Sequence, residues 1–143
     1  MIPATSLPAG PVLTRPKLAA LPLTAGRYLI APYLAPTRFS DYEVFTELGI
    51  LTAIYLITDS GSRIRWLGQA SRDDGLAARL AEHHRDPGRR AVFATVRALH
   101  LHDHTPPDVL DAIEGCCADQ LQLRSVMAPR RWPASRTWQH EVA

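Results

Sequence analysis

A predicted β-hairpin between residues 51 and 68 is the feature that most constrains the fold. Residues 51–58 are apolar and rich in β-branched and aromatic types, whereas residues 59–62 form the turn sequence Asp-Ser-Gly-Ser. Residues 63–68 then alternate polar with apolar types. This pattern predicts two antiparallel strands that are joined by a short turn.

The first of these strands should place one tyrosine where it can face a site. Successive side chains of a strand point to opposite faces of the sheet. Tyr55 should therefore share a face with Ala53 and Ile57, while Ile54 and Leu56 lie on the other face. The phenol ring of Tyr55 can then project from the sheet while its neighbours anchor the strand.

Downstream of the hairpin, the hydrophobic period alternates between the values typical of helices and of strands. It predicts a helix at 73–84, a central strand at 91–101 and a helix at 106–121. Arg79 and His83 are four residues apart, so they should lie side by side on the first of these helices. The predicted fold class is α+β, an α/β sandwich-like arrangement in which helices flank a small central sheet of three strands, mixed or antiparallel.

The rest of the chain predicts accessory segments around this unit. A short strand at 26–33 should lie at a sheet edge, because Pro32 lacks a backbone donor. A helix at 37–48 should follow, with an aromatic packing face. The predicted segments are a proline-rich, extended arm at 1–24, an extension at 25–50, a central domain at 51–123 and an arginine- and tryptophan-containing tail at 124–143.

Two tripeptides of the hairpin, Ala53-Ile54-Tyr55 and Trp66-Leu67-Gly68, have ten residues between their aromatic residues. The sequence continues as Gly68-Gln69-Ala70-Ser71, and the next helix carries the pattern Arg79-Leu80-x-x-His83. In this arrangement, residues 51–123 resemble the GIY-YIG nuclease domain, a family named for its two short strand motifs. The resemblance implies the fold of that family.

The resemblance to GIY-YIG nucleases also implies a metal-dependent endonuclease that hydrolyses phosphodiester bonds in DNA. Tyr55 would orient or deprotonate the attacking water, and Arg79 would hold the scissile phosphate. Glu114 would be the glutamate that binds Mg²⁺ or Mn²⁺, and Trp66 takes the position of the second tyrosine. His83 is our candidate to assist Tyr55 by accepting its proton, because a free phenol has a pKa of about 10.

The chain departs from the family pattern in three ways. Ala53 replaces the first glycine, Trp66 replaces the second tyrosine, and the sequence contains no asparagine. A tryptophan keeps the aromatic ring, but its N–H group can only donate a hydrogen bond. One alternative is therefore a domain of the same fold that binds nucleic acid with little or no cleavage. A more distant alternative is a protein-interaction module that uses the aromatic residues between Phe39 and Phe45.

Arginine supplies almost all of the basic residues, and it is concentrated near the hairpin. Residues 63–97 hold eight arginines against four acidic residues. Guanidinium groups suit phosphate oxygens, so this composition predicts DNA as the partner, with RNA as an alternative. GC-rich coding, which raises arginine and alanine together, is the competing explanation. The side chains predicted to bind nucleic acid are Arg63, Arg65, Gln69, Arg72, Arg89 and Arg90.

The remaining sequence features concern the cellular location of the protein and other possible metal sites. No segment approaches the roughly 20 apolar residues of a membrane span, which predicts a soluble, cytoplasmic protein with no membrane partner. The adjacent Cys116 and Cys117 suit neither a disulfide nor a metal clip, so buried thiols are predicted. The run His100-Leu101-His102-Asp103-His104 raises the alternative of a zinc site, although a histidine run at a strand end is the simpler explanation.

Overall fold

The structure, a computed structural model, describes residues 7–127 and 132–142. Its fold is α+β, with a four-stranded antiparallel sheet between helices on both faces. The predicted number of three strands is therefore wrong, because the segment after residue 28 adds a long edge strand. In the order β1-β4-β2-β3, the sheet contains β1 (Leu29–Arg38), β2 (Ala53–Thr58), β3 (Ile64–Ala70) and β4 (Thr95–Leu101).

The predicted hairpin is confirmed as β2 and β3. Tyr55 lies opposite Gly68 in the ladder. The turn is closed by the carboxylate of Asp59, which accepts the backbone N–H groups of Gly61 at 2.9 Å and Arg63 at 3.0 Å. This is the local hydrogen bonding for which aspartate is favoured in turns.

The alternation of side chains along β2 is also confirmed, and it divides the core into two clusters. Ala53, Tyr55 and Ile57 lie in one cluster with residues of the helix α3 (Leu76–Arg85). Ile54 and Leu56 lie in the other cluster, with α5 (Pro107–Gln120). The cluster around Tyr55 is the one from which the candidate site is built.

The described part of the N-terminal arm is folded, so the prediction of an extended arm is wrong between residues 15 and 24. Residues 15–28 form the helix α1 (Arg15–Ala20) and a 3₁₀ segment at Leu21–Tyr28. Prolines near the start of both segments are compatible with helix, because the missing N–H would have no partner there. Just before α1, the N–H of Gly10 donates to the carbonyl of Ile64 at 2.7 Å. The arm thereby covers the start of the edge strand β3.

The predicted helix at 37–48 is broken into short pieces. Pairing of β1 with β4 continues to Arg38, and only a 3₁₀ turn at Phe39–Asp41 and the single turn α2 (Val44–Glu47) follow. Phe39 and Phe45 are still buried, with exposures of 2% and 1%. These two rings therefore pack against the core, whereas Tyr42 between them is half-buried and lines a surface cavity.

The predicted strand at 91–101 begins late, because the Asp-Pro sequence before it starts a helix. Asp86 accepts the N–H of Arg89 at 3.1 Å and caps α4 (Pro87–Val92). An aspartate cap followed by proline is a helix start as well as a turn sequence, and here the helix forms. Helix α6 (Ser135–Glu141) was not predicted. In the described ranges, no helix has both the length and the apolar character that crossing a membrane requires.

Candidate active site

A polar cavity of about 450 Å³ lies where β2, β3, α3, α4 and α5 meet. Three of its ten lining residues, Gly68, Glu82 and Asp111, were not named as site residues from the sequence. The other seven were: the cavity brings together Tyr55, Trp66, Gln69, Arg79, His83, Arg89 and Glu114. Residues from five separate elements therefore meet at one place.

Tyr55 reaches this cavity because the residue opposite it has no side chain. A Cβ on Gly68 would lie 2.6 Å from both Cζ and Oη of Tyr55, and 3.0 Å from Nε1 of Trp66. No real side chain tolerates the shorter of these contacts, so the glycine leaves the space that the phenol fills. The third position of the tripeptide Trp-Leu-Gly thus has a steric role next to the candidate nucleophile activator.

His83 lies inside the protein, and its ring connects α3 to the sheet. Its exposure is 5%, and its Nε2 lies 2.8 Å from the phenolic oxygen of Tyr55. The ring also packs against Trp66, with centroids 4.7 Å apart. The next residue, His84, packs against Phe39 and is not among the buried residues of α3.

Arg89 occupies the wall of the cavity above the indole of Trp66. Its guanidinium carbon lies 4.6 Å from the centroid of that ring, which is a cation–π distance. One guanidinium nitrogen lies 3.1 Å from Nδ1 of His83. The sequence predicted Arg89 only as a nucleic-acid-binding residue, because its contact with His83 depends on α4, which the sequence did not predict.

Arg79 is positioned on α3 one turn before His83, as predicted. Its side chain is 41% exposed and lies 3.5 Å from Glu82, whose side chain is 53% exposed. An exposed pair of this kind contributes little free energy, since water screens both charges. A phosphate group entering the cavity can therefore displace Glu82 as the partner of Arg79 at small cost.

Glu114 is buried at the cavity wall, with an exposure of 4%. Its Oε2 accepts a hydrogen bond from the indole N–H of Trp132. Trp132 lies in the C-terminal tail. Arg124 donates a hydrogen bond to the carbonyl of Trp132 at 3.0 Å and also forms an ion pair with Asp119. No local sequence pattern indicates this role for Trp132, because the contact joins two segments through the tertiary fold.

The acidic residues of the cavity fit one kind of metal ion better than others. No group of three His, Cys, Asp or Glu side chains that could hold a metal is present in residues 7–127 and 132–142. This argues against a zinc cage, including one built from His102 and His104, whose rings are 5.2 Å apart. Glu114 alone, a hard oxygen donor beside an open polar cavity, suits Mg²⁺ or Mn²⁺, which keep several waters and bind substrate phosphate.

The side chains predicted to bind nucleic acid divide into two sets. Gln69 and Arg89 line the cavity, and Gln69 donates to Asp111 at 2.7 Å. The others lie elsewhere: Arg65 pairs with Asp59 at 2.8 Å, Arg63 contacts the carbonyl of Gly10, Arg90 contacts the carbonyl of His84, and Arg72 lines a separate cavity with Asp103. Their contact with nucleic acid stays a prediction.

Fold and cavity together define an α+β domain with a tyrosine, two arginines and a buried carboxylate at one polar site. In comparisons with known proteins, no family model, no curated protein and no solved structure matches the chain. Any function assigned to it therefore depends on the chemistry of these residues and on the motif resemblance.

Proposed function

We propose that this protein is a metal-dependent endonuclease of the GIY-YIG type, which hydrolyses phosphodiester bonds in DNA. The observation that carries the proposal is the convergence of Tyr55, Arg79, His83 and Glu114 on one polar cavity. These residues are separated by up to 59 positions in the sequence. Chance clustering of a predicted phenol, cation, imidazole and carboxylate at a single site is a poor explanation for that arrangement.

The phosphate of the substrate would lie against Arg79 in this mechanism. Guanidinium groups present paired N–H donors that match phosphate oxygens. Arg79 has only a weak partner in Glu82, and Arg89 supplies a second positive charge among the residues that line the cavity. Both cations would stabilise the charge that develops on the phosphorus oxygens in the transition state.

The phenol of Tyr55 would orient or activate the attacking water. Its ring is buried at 3% exposure, and His83 and the space at Gly68 determine the position of its oxygen. An oxygen held in this way costs little reorganisation when a water binds to it. Tyr55 is therefore the group to which we assign water positioning.

Glu114 would hold the metal ion, and Asp111 is a second carboxylate that lines the same cavity. A bound Mg²⁺ or Mn²⁺ supplies charge stabilisation to the leaving oxygen. Trp132 keeps the Glu114 carboxylate in one orientation through its indole N–H. A carboxylate that is already fixed in one orientation loses less conformational entropy on binding a cation than a mobile carboxylate does.

A cleavage assay tests the proposal. Supercoiled, linear and branched DNA, with RNA beside them, would be incubated with the protein and Mg²⁺ or Mn²⁺, and with EDTA. Cleavage that requires the metal and falls at least about 100-fold in Tyr55→Phe would support it. Tyr33→Phe, a change of the same size away from the cavity, is the matched control. Absence of cleavage on every substrate would contradict the proposal.

A nucleic-acid-binding domain without cleavage is the second candidate, and Trp66 favours it. The indole cannot accept a proton, and its face is covered by Arg89 at 4.6 Å. The same side chains would then bind the phosphate backbone without activating a water molecule. Salt-sensitive binding to DNA with no metal-dependent product would support this second function over the first.

A further inference from the structure

The hydrogen bonds of His83 determine which of its nitrogens carries the proton. Its Nδ1 lies 3.1 Å from a guanidinium nitrogen of Arg89, and its Nε2 lies 2.8 Å from the phenolic oxygen of Tyr55. Arginine has N–H donors and no acceptor, and it stays protonated in proteins. Nδ1 must therefore accept the hydrogen bond, which leaves the imidazole proton on Nε2.

We propose that Arg89 is a positioning residue that holds His83 as the neutral tautomer with its proton on Nε2. In that tautomer, His83 donates a hydrogen bond to the phenolic oxygen of Tyr55. The three side chains form a chain of fixed direction, from Arg89 through His83 to Tyr55. This differs from the sequence hypothesis, in which His83 accepts the proton of Tyr55.

Two contacts hold Arg89 in place for this role. Its guanidinium stacks on Trp66, and its backbone N–H is bound by the carboxylate of Asp86, which begins α4. The same carboxylate lies 3.9 Å from Nε of Arg89. The arginine is thus tied to α4 at its backbone and to β3 at its side chain, so its direction toward His83 is determined by both elements.

The charges around His83 come from every element that packs against it. Arg79 and Glu82 belong to its own helix, Asp86 and Arg89 lie on or next to α4, Tyr55 lies on β2, and Glu114 on α5 completes the cavity. Arg89 is the cation in direct contact with the ring. A positive charge at that distance disfavours a second proton on the imidazole, whereas the carboxylate of Asp86, which interacts electrostatically with His83, favours it.

The consequence for catalysis rests on the proposed nuclease function. An N–H donor directed at the phenolic oxygen stabilises the ionised phenol relative to the neutral one. The O–H proton of Tyr55 must then be directed away from Nε2. His83 therefore acts by stabilising the oxygen of Tyr55 and does not take up its proton.

NMR of the protein labelled with ¹⁵N at histidine tests the tautomer directly, without any substrate. The His83 signals would be assigned by their loss in His83→Gln, since the chain has six histidines. We expect Nε2 protonated and Nδ1 unprotonated at neutral pH in the wild type. Arg89→Met, an unbranched side chain with no N–H donor and no charge, should give mixed tautomers. Arg89→Lys should restore the Nε2–H form.

Two results would overturn the inference: a wild-type ring protonated on Nδ1, or an Arg89→Met variant whose His83 signals match those of the wild type. Cleavage gives a separate readout, because Arg89→Met should also move the pH profile of cleavage while Arg89→Lys restores it. If the tautomer is as expected but no cleavage occurs, the proposed function fails and the inference stands. If cleavage occurs with the other tautomer, only the inference fails.

Discussion

Gly68 and Tyr55 face each other across β2 and β3 so closely that a methyl group on Gly68 would lie 2.6 Å from the tyrosine oxygen. The phenol can reach the cavity only because that methyl group is absent. The glycine is therefore required by the position of a neighbouring side chain and not by its own backbone angles. A substitution at this residue should therefore act first on the position of the Tyr55 ring.

Gly68→Ala should displace the hydroxyl of Tyr55 and lower the cleavage rate by about 100-fold, the usual effect of misplacing a catalytic group by roughly 1 Å. Overpacking should also destabilise the fold by about 1 to 3 kcal/mol. Steady-state cleavage and urea denaturation would measure the two effects. Gly61→Ala is the matched control, because a Cβ there meets only an Asp59 oxygen at 3.5 Å. Equal cleavage by Gly68→Ala and the wild type would contradict the assignment of Tyr55.

Glu114→Gln should abolish metal-dependent cleavage and leave DNA binding within about twofold. Glutamine keeps an oxygen that can accept the indole N–H of Trp132, but it lacks the charge that a hard divalent cation needs. Cleavage and binding would be measured on the same DNA, with Glu82→Gln as the control at an exposed carboxylate of the cavity. A Glu114→Gln variant that cuts at the wild-type rate would remove Glu114 from the site.

Arg79→Ala should weaken both binding and cleavage, because the guanidinium would contact the phosphate in the ground state and in the transition state. The slope of log K against log salt should become shallower by about 0.9, the value for one phosphate contact on duplex DNA. Binding would be titrated at several salt concentrations, beside Arg15→Ala on α1. Identical slopes for the wild type and Arg79→Ala would mean that Arg79 does not touch the backbone.

The two cysteines should differ strongly in reactivity. Burial raises the pKa of Cys117 to about 12, although a hydrogen-bonding contact with Thr24 at 3.2 Å opposes part of that rise. Burial and Asp119 also raise the pKa of Cys116, with Arg124 opposing them. Because the thiolate is the reactive form, a thiol reagent at pH 8 should modify Cys116 slowly and Cys117 only after unfolding. Cys116→Ser in native buffer should therefore show no reaction; a rapid one would contradict the burial of Cys117.

Asp59 should make the hairpin sensitive to acid. Burial raises the pKa of its carboxyl. The hydrogen bonds from Arg65 and from two backbone N–H groups lower that pKa by a larger amount, so it lies below the ordinary value. Its contribution to stability is therefore complete above the pKa of the unfolded chain and is lost as pH falls through the lower folded value. Asp59→Asn should cost about 1 kcal/mol at pH 7 and less at pH 3, as measured by urea denaturation. Asp74→Asn, an exposed control, should change neither value.

The sequence was most informative where hydrophobic period alone decides the structure. The alternation along residues 53–57 predicted which side of the sheet carries Tyr55, and burial of the opposite side chains required that register. It was least informative where one short sequence suits two structures. Asp86-Pro87 fits a turn and a helix start equally well, and in the structure Asp86 caps a helix whose Arg89 contacts Trp66 of β3.

The residues of the candidate site also divide into those that the sequence could predict and those that it could not. Arg79 and Glu114 were expected to meet because the resemblance to the GIY-YIG family implies one site for both, and His83 because it lies one helical turn after Arg79; all three line the cavity. Trp132 could not be predicted, since its contact with Glu114 forms only after the tail folds back on α5. Arg89 was named for its charge, but its contact with His83 depends on an element that the sequence left ambiguous.

The hydrogen bond from Trp132 to Glu114 also affects the order in which the residues of the site reach their final positions during synthesis. Synthesis proceeds from the N-terminal side, so the hairpin with Tyr55 and the helix with His83 emerge before the tail. Glu114 receives its indole partner only after 18 further residues have been added. On a growing chain, the carboxylate is therefore the last of the cavity's groups to be held in its final position.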